Sequence, residues 1–361
     1  MTPKLQRTFN PARILIFGIG DLGVHIARLV MENHYASVCM LAGQSSASEQ
    51  WAQLLHLSTG GDVRATRVDG LDSEAVKKLL MSFEPDVIVQ CATLLSPFAM
   101  KRIGTPATLA ILKGGFALQT AAQLPIIRSV MQARQAVGLS CPVINCSYPD
   151  VTNTMLASEG LAPDVGIGNV AIMALRFQRL IPGAADGDLR VIGHHSQLGP
   201  SLAGEPAPAP TPVPLAYLHG RKLKDKELLL KPGLGPGPTM NYLAAATVLP
   251  ILRGLLSKDS TMQAHAPGIL GLQGGYPIQF KGGQIELDLP EAVSREEAIN
   301  FNSRSGAGDG IERIDPDGTL FYTSAAKEAV APWCPELAEP LKVSDIDSRL
   351  ALLRTVSEAT A

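Results

Sequence analysis

Arg13-Ile14-Leu15-Ile16-Phe17-Gly18-Ile19-Gly20-Asp21-Leu22-Gly23 is the stretch that decides the fold. Its first five residues read as a short, mostly apolar strand of the kind buried on both faces in a parallel sheet. The glycines that end it follow the pattern G-x-G-x-x-G. In that pattern the first glycine permits a tight turn, and the second lets a diphosphate approach the backbone. The third lets a helix pack close to the strand. From Asp21 onward Leu22, Ile26, Leu29 and Val30 recur at helical spacing. The turn therefore lies between a strand and a helix N-terminus, whose free N–H groups and positive dipole end suit phosphate. A glycine-rich turn can exist without a ligand. Its place between strand and helix is what indicates a dinucleotide.

Working outward, residues 37–41 and 63–68 read as the second and third strands. Residues 73–83 read as a helix behind the cap signal Asp72-Ser73. Residues 86–91 form the fourth strand, 118–137 a long helix kinked or begun at Pro125, and 142–146 a fifth strand. Strands alternating with helices imply a doubly wound parallel sheet with right-handed crossovers. The expected architecture is α/β: a Rossmann domain over residues 1–150, then an α+β substrate and dimerisation domain over 151–361.

The second part is less regular. Residues 206–214 carry a proline at every second position and read as a loop, residues 221–226 as a solvated charged stretch, and residues 231–238 as a Gly/Pro run. Residues 241–256 look helical despite Pro250. Strand-like pieces follow at 277–280, 284–289 and 319–323, the last behind the turn Asp315-Pro316-Asp317-Gly318. A closing helix at 344–356 is placed to pack back on the first domain.

Composition excludes several classes. With 361 residues, a net charge of −2 and 5% aromatics, the chain has neither the basic excess nor the stacking surface of a nucleic-acid binder. Nothing in it approaches the roughly 20 apolar residues of a membrane span, and residues 1–13 lack a signal-peptide core. The five cysteines (Cys39, Cys91, Cys141, Cys146, Cys334) form no CxxC pair and no metal-ligand spacing. Reduced thiols and a cytoplasmic location are expected, with no bound metal.

The end of the second strand bears on the cofactor. NAD enzymes commonly place there an acid that accepts from the ribose 2′-OH. Here Gly43-Gln44-Ser45-Ser46 follows, with no carboxylate before Glu49. Ser45, Ser46 and the Gln44 amide can donate to a 2′-phosphate, and Arg64 or Arg67 can add charge, so NADP is expected ahead of NAD. Asp69, after the third strand, can sit beside the adenine or merely cap a turn. Cys91-Ala92-Thr93 closes the fourth strand, where small residues face a nicotinamide ribose or simply pack.

Two resemblances follow. The first hundred residues, with the fourth strand Asp86-Val87-Ile88-Val89-Gln90-Cys91-Ala92, resemble the NADP-binding part of saccharopine dehydrogenase-like oxidoreductases. Residues 115–199 resemble lactate and malate dehydrogenases in order: a helix, a strand, Ser147-Tyr148-Pro149-Asp150-Val151-Thr152, then Gly166-Ile167-Gly168-Asn169, Ala174-Leu175-Arg176-Phe177 and Val191-Ile192-Gly193-His194-His195-Ser196. This likeness implies a catalytic histidine at His195, a substrate-side arginine at Arg176, and a second cation at Lys101 or Arg102 in the loop after the fourth strand. The chain departs from the family in having Tyr148 where an asparagine precedes the proline, no histidine-orienting aspartate within 169–174, and a different C-terminal pattern.

The expected chemistry is hydride transfer between a nicotinamide and a small polar carbonyl or imine compound, which needs a proton donor at the heteroatom. His195 suits that role because a histidine gives and retakes a proton near neutrality. Tyr148, beyond the fifth strand, is the second donor candidate, and Arg176 can clamp a carboxylate. Each of these residues also has a purely structural reading: an interface histidine, a packed tyrosine, a surface arginine. His194 and His195, as neighbours on an extended chain, are expected to face opposite ways. Asp309-Gly310-Ile311-Glu312-Arg313 reads as a solvated turn, with the cleft as the other possibility. Alternatives are a nicotinamide enzyme without net redox turnover, or a non-catalytic cofactor sensor. A homodimer is expected, because the irregular second domain leaves sheet edge uncovered.

Overall fold

Ile14, Leu15, Ile16 and Phe17 are buried in strand β1 (Ala12–Phe17), the centre of a six-stranded parallel sheet. The structure, a computed structural model, describes residues 10–184, 188–208, 210–229, 237, 239–257 and 261–358. After β1 the chain runs through α1 (Asp21–Glu32), β2 (Ala36–Gly43), α2 (Ala47–Thr59), β3 (Asp62–Arg67), α3 (Ser73–Phe83) and β4 (Val87–Gln90). It continues through α4 (Pro97–Ile103), α5 (Pro106–Gly114), α6 (Thr120–Ala136), β5 (Val143–Asn145), α7 (Pro149–Ala157), β6 (Val165–Gly166) and α8 (Val170–Leu180). The strand order is β3-β2-β1-β4-β5-β6. Order reverses between β1 and β4, and the crevice at such a switch point is where open α/β sheets bind ligands.

Alternate residues of β1 feed two apolar layers. Leu15 and Phe17 join Val76 of α3 and Ile127 of α6; Ile14 and Ile16 join Ile26 and Val30 of α1. Each such side chain, fully buried, contributes about 1.5–3 kcal/mol. The sheet extends past residue 150, where the sequence reading ended the first domain, because β6 pairs with β5.

The remainder is a smaller α+β domain. Among the described residues it holds a sheet of Leu189–Ile192, Leu215–Leu218 and Arg221–Lys222, a second of Met262–Pro267, Gly275–Lys281 and Gln284–Leu287, and the hairpin Ile311–Ile314 with Leu320–Tyr322. Asp315 and Gly318 close that hairpin, with Gly318 N–H donating to the Asp315 carbonyl. The expected helix over 241–256 is two helices, Met240–Ala246 and Val248–Leu256, so Pro250 falls in a first turn, where proline is tolerated. The Gly/Pro run at 231–238 lies, Gly237 apart, outside the described residues. Leu350 and Leu353 of the last helix, Ile346–Glu358, share the apolar layer of Ile127 and Val130. No helix among the described residues is long and apolar enough to cross a membrane.

Candidate active site

The three glycines after β1 meet three different constraints. Gly18 has φ of +98°, and a Cβ there would lie 2.5 Å from the Ala92 nitrogen. At Gly23 a Cβ would lie 2.0 Å from the Gly18 carbonyl oxygen, so only glycine lets α1 start this close to the turn. A Cβ on Gly20 would meet nothing within 4 Å, because Gly20 faces a cleft of about 1040 Å³. The empty cradle over Gly20, with the N-terminus of α1 behind it, fits a diphosphate.

Gly20, Asp21, Leu22 and Gly23 line the cleft at one end, with Cys91 and Thr93 beside them. Ile19 is buried in the core and outside the cleft lining, and Ala92 backs Gly18. Thr93 is fixed by α6: its hydroxyl donates to the Ala122 carbonyl at 3.0 Å, in the turn before Pro125. Gly43 ends β2 beside Gly18, and Gln44, Ser45 and Ser46 stand exposed beyond it, outside the cleft lining. Asp69 is exposed and accepts from the Leu71 N–H at 2.9 Å, the turn-capping role. Arg64 is taken up by Asp62 at 2.7 Å, whereas Arg67 stands in register with Gly43.

At the far end of the cleft lie Phe116, Tyr148, Asn169 and His195. Tyr148 follows β5 and caps α7 with φ of +51°, a left-handed conformation rarely held by an aromatic residue and most often found at functional positions. Its neighbourhood is over-determined. Asn145 Nδ2 donates to Thr152 and Asn153, and Asn145 Oδ1 accepts from Ser147 N–H at 2.9 Å. Ser147 Oγ donates to Gln123 Oε1 at 2.8 Å.

His195 opens the 3-10 turn His195–Gln197 after strand Leu189–Ile192. Its backbone N–H donates to Asp150 Oδ1 at 2.9 Å, and Asn169 Nδ2 donates to the other oxygen of Asp150. Its ring stacks on Phe116 at 4.7 Å between centroids and meets the edge of Tyr148 at 5.2 Å. Its Nδ1 contacts both oxygens of Asp309, at 3.0 and 2.8 Å, and Tyr148 Oη donates to Asp309 Oδ2 at 2.9 Å. The His195 side chain keeps 29% exposure against 6% for Asp309, so the histidine is the member a substrate can touch.

Electrostatics set the proton inventory. Burial pulls the His195 pKa down, but the charge and hydrogen bond of Asp309, with Asp150 behind, outweigh it and raise the pKa above the ordinary value. Burial likewise opposes ionisation of Asp309, yet His195 and His194 hold it below the usual carboxylate range. Burial and the Asp309 charge push the Tyr148 hydroxyl well up, so it stays protonated. Asp150 is raised by burial. Both shifts favour the imidazolium–carboxylate form of the pair, in which Nδ1 is the ring nitrogen committed to Asp309.

Four expectations need correcting. Lys101 is exposed on α4 and outside the cleft lining; its neighbour Arg102 lines it, one residue around the helix. Arg176 is buried on α8, where Nη1 donates to the Leu228 carbonyl at 3.1 Å and the guanidinium lies near Phe177, so it is not in the cleft. The loop read as a solvated turn from residue 309 supplies the buried carboxylate at the site. His194 and His195 do not part company either: the chain turns at His195, and both Nδ1 atoms approach Asp309, His194 at 3.4 Å. The second domain also adds Asn241, whose Nδ2 donates to Asp21 Oδ2 at 2.8 Å, and Tyr242, which packs edge-on against His25.

No protein-family model matches the sequence, and a comparison with curated proteins finds no match. Solved structures do match. The malate dehydrogenase from Picrophilus torridus is 14% identical, with a TM-score of 0.52 over 82% of this chain and 97% of that one. The lactate dehydrogenase from Eimeria maxima, solved with NADH and oxamate, is 15% identical, with a TM-score of 0.49 over 80% and 90%. At such identities the likeness to the malate dehydrogenase is one of fold: a parallel Rossmann sheet with a smaller α+β domain, as in two-domain dehydrogenases. None of these comparisons supports kinship with saccharopine dehydrogenase-like enzymes.

Proposed function

We propose that the chain is an NADP-dependent oxidoreductase that moves a hydride between the nicotinamide and a small polar carbonyl or imine compound. The observation that carries this reading is His195, which is paired with the buried Asp309 and lines the same cleft as the glycine turn after β1. When bound, the nicotinamide supplies or accepts the hydride. Gly18, Gly20, Gly23 and the N-terminus of α1 would hold the diphosphate, and Cys91, Ala92 and Thr93 the nicotinamide end. During reduction His195 Nε2 gives its proton to the substrate heteroatom, and Asp309 stabilises the imidazolium beforehand and fixes the ring. Phe116 excludes water from one face of the ring. Tyr148 donates a hydrogen bond to Asp309 and so positions the carboxylate that positions His195. Arg102 is the cation available to a substrate carboxylate.

Preference for NADP rests on the absence of an acid over Gly43-Gln44-Ser45-Ser46 and on Arg67 standing across from Gly43. Titration with NADPH and NADH, followed by absorbance screening of oxo acids and imines, tests the reading. NADPH is expected to bind more tightly. His195→Ala is expected to keep nucleotide affinity and to lose turnover roughly 10²–10⁴-fold. Undiminished turnover in that variant removes His195 from the chemistry.

A further inference from the structure

The thiols of two cysteines in the cleft have no part in the hydride or proton transfer. Cys91 follows β4 and Cys146 follows β5, and their sulfurs lie 3.6 Å apart. Both line the cleft. Gln90 and Asn145, the residues before them, are in-register partners, and Cys146 N–H donates to the Gln90 carbonyl at 2.8 Å. Neighbouring strands run about 4.7–4.9 Å apart, within the roughly 4.4–6.8 Å between Cα atoms that a disulfide spans. The two sulfurs can therefore bond with little backbone movement.

We propose that Cys91 and Cys146 are a hydroperoxide-sensitive thiol pair, and that closing it to a disulfide weakens nucleotide binding. In the first step the Cys91 sulfur attacks the terminal peroxide oxygen. An S–O bond forms, the O–O bond breaks, and the departing hydroxide, or the alkoxide of an organic hydroperoxide, takes the thiol proton and leaves as water or as the alcohol. The Cys146 sulfur then displaces the sulfenic hydroxyl, which leaves with the Cys146 proton as water. Two thiols are oxidised to one disulfide and one hydroperoxide is reduced. Burial and the neighbouring Cys91 push the Cys146 thiol well up, which disfavours its thiolate and leaves the first attack on the peroxide to Cys91.

The effect on nucleotide follows from what each cysteine touches. A Cβ on Gly23 would lie 3.8 Å from Cys91 Cβ, and Ala92, next in the chain, backs Gly18. Cys146 leads directly into Ser147 and Tyr148. Drawing the sulfurs to about 2.05 Å pulls both side chains out of the positions from which they line the cleft, beside the glycine turn and next to the segment that bears Tyr148. This second half of the proposal rests on reading the cleft as the nucleotide site; the thiol chemistry does not.

The test is peptide mapping of full-length protein treated with hydrogen peroxide and alkylated. A Cys91–Cys146 disulfide is expected, with Cys39 left unoxidised, because burial pushes its thiol up to about 12, and so alkylated once the protein is unfolded, as an internal control. Two alkylated thiols, or pairing of Cys91 with another cysteine, overturn the proposal. In Cys146→Ala, Cys91 is expected to run on to the sulfinic acid; a Cys91 that remains an alkylatable thiol there overturns it too. NADPH fluorescence is expected to show affinity about ten-fold weaker after oxidation, restored by dithiothreitol. Unchanged affinity despite the disulfide overturns the regulatory half. Reduced protein that binds neither NADPH nor NADH instead sinks the nucleotide reading, while the peptide map still decides the thiol chemistry.

Discussion

At the residue scale Asp309 carries the most weight, because its buried carboxylate is shared by His195, His194 and the Tyr148 hydroxyl. A raised pKa at His195 means that the ion pair is complete below the ordinary histidine pKa of about 6.5 and is lost as pH climbs through the raised value. Reduction needs the imidazolium, so its rate should be level at low pH and fall across that same higher window; oxidation should show the opposite limb. Asp309→Asn keeps the shape but removes the charge that outweighs burial. Its pH midpoint is expected to move down, with kcat/KM for reduction near neutrality lower by roughly 10²–10⁴-fold. An unmoved midpoint would assign the titration to another group. Sequence alone reaches His195 and Tyr148 because each belongs to a local pattern. Asp309 is 114 positions from His195, and only the fold brings them together. The choice between Lys101 and Arg102 depends on helix phase, in which one residue is about 100° of rotation; the sequence around α4 is too short to fix it.

At the scale of elements the turn between β1 and α1 makes a contrast that can be measured. Gly20 faces open space, whereas a side chain at Gly23 collides with the Gly18 carbonyl. Gly20→Val should therefore abolish tight nucleotide binding while shifting stability by about 1 kcal/mol or less. Gly23→Ala should destabilise by about 1–3 kcal/mol as α1 is forced from the turn. Denaturant melts and nucleotide titration of both variants check the pair, and a Gly20→Val protein that still binds tightly would show that no diphosphate lies there. Strand β1 and helices α1 and α3 are legible because apolar spacing and caps agree: Asp72 accepts from the N–H groups of Glu74 and Ala75. Helices α2, α4 and α5 are not. α2 leaves Trp51, Leu54 and Leu57 exposed, so its apolar pattern follows no single face. α4 and α5 open with Pro97 and Pro106, which read as breakers in sequence yet start helices behind the caps Ser96 and Thr105.

At the scale of the whole molecule, the second domain delivers His195 to a cleft whose floor belongs to the first. Its two three-stranded sheets are tied by the Gly193–Gly275 bridge, one residue before His194, and by His265, whose Nε2 accepts from the Val191 N–H at 3.0 Å. Burial, helped by the Arg190 charge, pulls His265 down to about 3, so it stays a neutral acceptor. Arg190 is in turn held by Asp288 at 2.9 Å. The linkage has a definite sign. The unfolded chain takes up a proton at His265 near pH 6.5 and the folded one does not, so the contribution of His265 is intact above about pH 6.5 and is lost on acidification toward the depressed value. This window lies below that of His195, whose ion pair fades only as pH climbs through its raised value. Denaturant stability is expected to fall by about 2 kcal/mol from this source between about pH 6.5 and about pH 5. His265→Gln keeps an acceptor for Val191 but has no proton to gain, so its acid slope should be shallower by that amount. If the variant loses stability as steeply as the parent, the acid sensitivity arises elsewhere and His265 does not link the two sheets in the way its hydrogen bond implies.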